Sequence, residues 1–226
     1  FLLIRRPPIS TLFPYTTLFR SAEIAHAHDI PLVVDNTTST AYLIQVIKHG
    51  ADIVVNSSSK YINGSSNASS GILTDSGKFK WDKNRYPGFA DYVKYGPMAF
   101  VAKLRNSLFR NMGACLAPVN AYLNIIGLET LGLRMERACS NALELASWIE
   151  NNYPDIKVNY PGLCSSKWHE IAKKQLTNGY GAILTIRVGS KEKAFKFIDS
   201  LTIPYTLSKI GEHTSELQSH HDLVCR

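Results

Sequence analysis

Two short apolar runs, each ending in polar residues, constrain this chain more than any other feature. Residues 30–34 read Ile-Pro-Leu-Val-Val and stop at Asp35, and residues 51–55 read Ala-Asp-Ile-Val-Val and stop at Asn56-Ser57. Between them, Leu43, Val46 and Ile47 are spaced as a helix over residues 41–50 would need, and Gly50 stands at the usual helix stop. Strand, helix, strand over this length predicts a parallel crossover, and near-continuous apolar strands predict a sheet covered on both faces. Ligands of such sheets sit beyond the carboxyl ends of the strands. Asp35 and Thr37 follow the first strand there, and Ser57, Ser59 and Lys60 follow the second. These five residues are expected to converge on one site.

Each of them has an ordinary reading when taken alone. An aspartate after a strand usually serves a turn, a serine run is usually a solvated loop, and most lysines lie on the surface. The conjunction points further. A lysine amine that loses its proton part of the time can form an imine, and burial or a neighbouring cation favours that loss. A carboxylate one strand away can keep a heterocyclic nitrogen protonated, deepening its electron sink. Hydroxyls at Ser57 and Ser59 can donate to a phosphate. Together they make the inventory of a pyridoxal 5'-phosphate site.

Other classes fit poorly. The net charge of +7 invites a nucleic-acid reading, but the basic residues are scattered and form no arginine-rich block. No apolar run is long enough to span a bilayer. Cys115, Cys139, Cys164 and Cys225 are far apart with no CxxC pair, which argues against zinc and against a disulfide scaffold and fits a reducing cytoplasm. His26 and His28 suit a solvated helix face better than a metal site, and no glycine-rich nucleotide motif follows a strand.

The segment VVDNTTSTAYLIQVIKHGADIVVNSSSKYINGSS resembles the cofactor-lysine region of the cysteine/methionine-metabolism family of pyridoxal-phosphate enzymes. That family shows Asp-Asn-Thr after one strand and Ser-x-Thr-Lys-[Tyr/Phe] after the next. Asp35-Asn36-Thr37 and Ser57-Ser58-Ser59-Lys60-Tyr61 match, with Ser59 where threonine is usual. The resemblance implies that Lys60 is the Schiff-base residue and Asp35 the partner of the pyridine nitrogen. It further implies that Ser57 and Ser59 bind the phosphate and that Thr37 lies near the ring. DSGKFKW (75–81), the block 108–137, VNYPGL (158–163) and the block 169–188 resemble the O-acetylhomoserine sulfhydrylase branch, beside the cystathionine and methionine γ-lyases and γ-synthases. The resemblance implies an α/β chain: part of a fold-type-I, aspartate-aminotransferase-like large domain and the start of a small α/β C-terminal domain. It also implies a small amino-acid substrate and a cytoplasmic homo-oligomer, a homotetramer, with no nucleic-acid or membrane partner and no metal.

Two departures stand out. The family carries a glycine- and histidine-bearing turn after the lysine, where this chain has serines and asparagines through residues 62–71, and Asn56 stands where histidine is common. Asn63 is expected to tolerate a left-handed backbone there.

Residues 1–21 contain no acid and Pro7, Pro8 and Pro14, which break both the apolar stretch of a signal peptide and the helix of a mitochondrial presequence. That string, and residues 212–226, resemble translated sequencing-adapter sequence. The expected organisation is therefore a partial cofactor domain over 22–153, a partial small domain over 154–211, and non-native ends. Such a chain alone is expected to bind the cofactor weakly and to turn over nothing, and the alternative from another class is a non-catalytic, pseudogene-like product. Within it, Leu128, Leu131, Met135, Ala138, Ala142, Leu145 and Ile149 predict one long helix with a core-facing stripe. Residues 181–188 read as a strand. Residues 191–201 read as an amphipathic helix that buries Ala194, Phe197, Ile198 and Leu201.

Overall fold

The computed structural model describes residues 17–202 and two short strands, Tyr205–Thr206 and Glu216–Leu217. Most of both adapter-like ends, with Cys225, lies outside the described residues. Helix α1 (Thr17–Ala27) nevertheless begins inside the first of them. No proline follows Pro14 there, and Ala22, Ala25 and Ala27 favour a helix.

The predicted crossover is present. Strand β1 (Val33–Asp35) pairs in parallel with β2 (Ile53–Asn56), with Val33 opposite Ile53 and Asp35 opposite Val55. The connection is not the single helix expected. It divides into α2 (Thr40–Leu43) and a 3-10 turn (Val46–His49), with Ile44 extended between them at φ −152°. The break lets Leu43, Ile44 and Val46 all bury, at 0%, 3% and 3% exposure. The Asn36 side-chain amide donates to the Ile44 carbonyl freed by the break (3.1 Å). Gly50 closes the turn at φ 94°, a left-handed position that glycine takes without strain.

A third strand, β3 (Ile72–Asp75), runs antiparallel to β2 and gives the order β1-β2-β3. On one face of this sheet, Val34 and Val54 join a core with Leu43, Ile44, Val46 and Tyr61. The other face is covered unevenly among the described residues: Ile53 is 4% exposed, whereas Val33, Val55 and Leu73 are 53%, 36% and 41% exposed. Among the described residues the expected cover on this face is thus seen over Ile53 and not over Val33, Val55 and Leu73.

After β3 an aromatic group anchors residues 79–100, with Trp81 stacked on Phe89 (4.1 Å between centroids) and next to Phe100. Helices α3 (Ala99–Lys103) and α4 (Arg110–Met112) flank a π turn (Leu104–Phe109). The predicted long helix is two, α5 (Pro118–Glu129) and α6 (Leu131–Asn152), divided at Thr130. Helix α6 buries Met135, Cys139, Ala142, Ala146 and Ile149. Met135, Ala142 and Ile149 were read correctly, while Leu128 and Leu145 are 47% and 48% exposed. The buried stripe is rotated because the helix starts afresh after Thr130.

Met135 and Cys139 belong to the core beneath the sheet, whereas Ala142 and Ala146 belong to a second cluster with Tyr160 and Leu163. Tyr180 packs against both. Strand β4 (Lys157–Asn159) pairs antiparallel with β5 (Thr185–Arg187), the paired remnant of the longer strand expected over 181–188. Helix α7 (His169–Gln175) lies between them in sequence, with Ala172 in the first core. Helix α8 (Lys191–Asp199) is capped by Ser190 and half-buries Ala194, Phe197 and Ile198, as their spacing predicted. Strands β6 (Tyr205–Thr206) and β7 (Glu216–Leu217) pair in parallel.

Candidate functional site

Parallel pairing brings the carboxyl ends of β1 and β2 to one edge, and hydrogen bonds run through the predicted residues there without a gap. The Asp35 carboxylate accepts from the Thr37 amide (2.9 Å), an aspartate turn that stops β1. The Thr37 hydroxyl then accepts from the Ser57 amide across the strand gap (2.8 Å). The Ser57 and Ser59 hydroxyls lie 2.9 Å apart and share a hydrogen bond. The Lys60 amide donates to the Ser57 carbonyl (3.2 Å), which places the lysine in the first turn beyond β2.

Three groups along this chain retain unused capacity. Lys60 is half-buried, and its amine has no hydrogen-bond or ion-pair partner among the described residues. Among the described residues only one oxygen of Asp35 is engaged, and its exposed side chain shares a sheet face with Val55 and Leu73. The hydroxyls of Ser57 and Ser59 bond only to each other among described side chains. No direct contact joins the lysine amine to the aspartate carboxylate. The arrangement offers a nucleophile, an acceptor for a protonated heteroatom and a hydroxyl pair suited to an anion.

The turn carrying Lys60 is fixed from below. The Asn63 amide donates to the Ser58 carbonyl (2.9 Å) and the Gly64 amide to the Lys60 carbonyl (2.7 Å). Asn63 was expected to supply a left-handed residue, but the left-handed positions are Gly64 (φ 72°) and Ser66 (φ 55°). Asn63 is instead 3% exposed and acts through its side chain. Its carbonyl oxygen accepts from the Ser65 and Asn67 amides, and its amide donates to Asn124 of α5 (3.3 Å). Asn124 donates to the Ser70 hydroxyl (2.8 Å), which also accepts from Ser58 (2.7 Å). The asparagines and serines that depart from the family turn thus form a satisfied polar network, as buried polar groups require.

A guanidinium supports the same turn. Arg134 donates from Nη1 to the Tyr61 carbonyl (2.7 Å), and from Nη2 to the Ile62 (3.3 Å) and Gly127 (2.6 Å) carbonyls. Its Nε reaches Thr130 (3.0 Å). Burial pushes this guanidinium down from its ordinary pKa. Sequence reasoning overlooked Asn124, Gly127 and Arg134; the available signal was an arginine directly beside a core position, Met135. His26, read as part of a solvated helix face, is partly exposed and bonds the buried Asp52 carboxylate (2.7 Å).

Residues 10–221 match the family model described as Cys/Met metabolism PLP-dependent enzyme. The chain is 41% identical to a homocysteine/cysteine synthase of Saccharomyces cerevisiae, over 84% of this chain and 48% of that protein. It is 37% identical to an O-acetyl-L-homoserine sulfhydrylase of Corynebacterium glutamicum, over 84% and 47%. Among solved structures, an O-acetylhomoserine sulfhydrylase of Wolinella succinogenes is 43% identical with a TM-score of 0.72, covering 85% of this chain and 55% of that one. An O-acetylhomoserine (thiol)-lyase of Campylobacter jejuni, whose structure carries N'-pyridoxyl-lysine-5'-monophosphate, is 32% identical with a TM-score of 0.78, covering 86% and 52%. The chain spans about half the length of the curated relatives it matches.

Proposed function

Because the chain belongs to the Cys/Met metabolism family of pyridoxal-phosphate-dependent enzymes, with the fold-type-I architecture of its solved relatives, we propose that it is the lysine-bearing part of an O-acetyl-L-homoserine sulfhydrylase. The whole enzyme would replace the acetate of O-acetylhomoserine with sulfide or methanethiol. In this reading residues 22–153 are the cofactor-domain portion and 154–211 the beginning of the small domain. The parent protein acts on a small amino acid as a cytoplasmic homo-oligomer.

The observation that carries the reading is the unbroken hydrogen-bond chain from Asp35 to the Lys60 backbone amide, on a residue whose side-chain amine has no partner among the described residues. These donors and acceptors fit pyridoxal phosphate. Lys60 would hold it covalently, the Ser57 and Ser59 hydroxyls would donate to its phosphate, and the open Asp35 oxygen would accept from its ring nitrogen. Thr37 ties the two strand ends together and so sets the spacing between the carboxylate and the hydroxyl pair. When bound, the cofactor supplies an electron sink that makes an amino acid's Cα and Cβ protons labile. Once freed from the cofactor, the Lys60 amine would be the base within this chain for moving those protons. The Thr37 amide fixes the first Asp35 oxygen, which would leave the second to accept from the ring nitrogen.

The test is a visible absorption spectrum of the chain with excess pyridoxal phosphate, followed by borohydride reduction and peptide mapping. A band lost in Lys60→Ala, with the reduced adduct at Lys60, supports the reading. A band and adduct pattern indifferent to that substitution would reject it.

A further inference from the structure

Residues 57–64 form one tight turn whose own hydrogen bonds end at Gly64, where the backbone turns left-handed. Tyr61, Ile62 and Asn63 are all buried, so their peptide groups are out of reach of bulk water. The carbonyls of Tyr61 and Ile62, the first and second residues after Lys60, are received by the fork of Arg134. The same fork holds the Gly127 carbonyl at the end of α5, and Nε holds Thr130 between α5 and α6. Among the described residues no carboxylate pairs with this arginine, since the one ion pair found is His26 with Asp52.

The fit is close on both sides. A side chain at Gly64 would strike the guanidinium, and one at Gly127 would strike the backbone at Ile62 and Asn63. Two glycines are therefore sized to let one arginine bridge the lysine turn and a helix junction. A lysine at 134 could not do this, because an ammonium is a point charge without the planar fork that reaches several carbonyls at fixed angles.

We propose that Arg134 is a positioning residue for Lys60, setting where the lysine amine stands by clamping the peptides directly after it. The inference rests on the reading of Lys60 as the cofactor lysine. Misplacing a reacting group by about 1 Å costs up to ~100-fold in rate. Removing the clamp should therefore scatter chemistry away from Lys60 rather than only soften the fold.

The experiment treats the full chain with pyridoxal phosphate, traps adducts with borohydride and maps them by mass spectrometry. The share of adduct at Lys60 is compared in the unsubstituted chain, Arg134→Ala, Arg134→Lys and Tyr160→Phe. The last variant loosens the second core, away from this turn, and reports what a general loss of stability does. Expected is enrichment at Lys60 in the unsubstituted chain and in Tyr160→Phe, with a drop of about tenfold in both Arg134 variants. Arg134→Lys decides the matter if Arg134→Ala fails to fold. Retained enrichment in Arg134→Lys overturns the proposal, as does an equal loss in Tyr160→Phe. Absence of enrichment in the unsubstituted chain refutes the cofactor-lysine reading itself, and this inference falls with it.

Discussion

Gly127→Ala sets helix propensity against packing at one position. Gly127 lies inside α5, where replacing glycine by alanine favours the helix by about 1 kcal/mol. The added Cβ would stand 2.8 Å from the Asn63 Cα and closer still to the Ile62 and Asn63 carbonyl oxygens. Carbon atoms pack best at about 3.5–4.0 Å, so the turn must retreat by roughly 0.7 Å or more. All three obstacles are backbone, and no rotamer change relieves them. Overpacking of this kind costs about 1–3 kcal/mol. The retreat also stretches two hydrogen bonds that are already 3.3 Å long, Asn63 to Asn124 and Arg134 to Ile62. Each contributes about 1 kcal/mol. Subtracting the propensity gain leaves a net loss of about 2–4 kcal/mol. With a urea dependence of about 1–3 kcal/mol/M, the unfolding midpoint should fall by roughly 1 M. A midpoint that is unchanged or raised would mean that propensity prevails and that the contact between α5 and the lysine turn is not rigid.

Further consequences can be checked by the same or simpler means. Tyr160→Phe removes a hydroxyl that donates to the Gly181 carbonyl (2.8 Å) from a fully buried ring, and should cost about 1–2 kcal/mol; an unaltered urea midpoint would contradict this. Asp52→Ala strands the Leu32 amide and the His26 ring, both bonded to one buried oxygen, and should cost about 2 kcal/mol by the same assay. Burial pushes the Cys139 thiol above its ordinary value, so less thiolate is present at any given pH and alkylation should come well after that of exposed Cys115 and Cys164. The sign follows for stability too: the contribution is whole below the unfolded thiol's value and is lost as pH climbs through the folded one, so stability should fall less steeply with rising alkaline pH in Cys139→Ser.

The parts of this fold written locally were the legible ones. Asp35, Thr37, Ser57, Ser59 and Lys60 each follow a strand, and strand ends are marked by abrupt changes in polarity, so their gathering at one edge could be anticipated. The family turn was readable as a departure, but the use made of Asn63 was not. Whether an asparagine bends its own backbone or caps its neighbours depends on Asn124, 61 residues away. Strand β3 escaped notice because it is short and half-exposed, with pairing supplied wholly by β2. The rotated stripe of α6 depended on where the helix begins, and Thr130 carries no strong stop signal. The exposure of Val33, Val55 and Leu73 could not be foreseen, since an apolar strand looks the same whether or not anything lies over it.

Helix α6 has a consequence for how this protein comes apart. Along a single rod it touches the lysine turn through Arg134, the first core through Met135 and Cys139, and the second core through Ala142 and Ala146. Neither core can lose its packing without unlacing the rod that the other depends on, and Tyr180 adds a second tie between them. The two clusters therefore form one cooperative unit, in which amides beneath the sheet and beside Tyr160 should exchange with solvent through a shared opening. The local order around Lys60 then lasts only as long as that unit does.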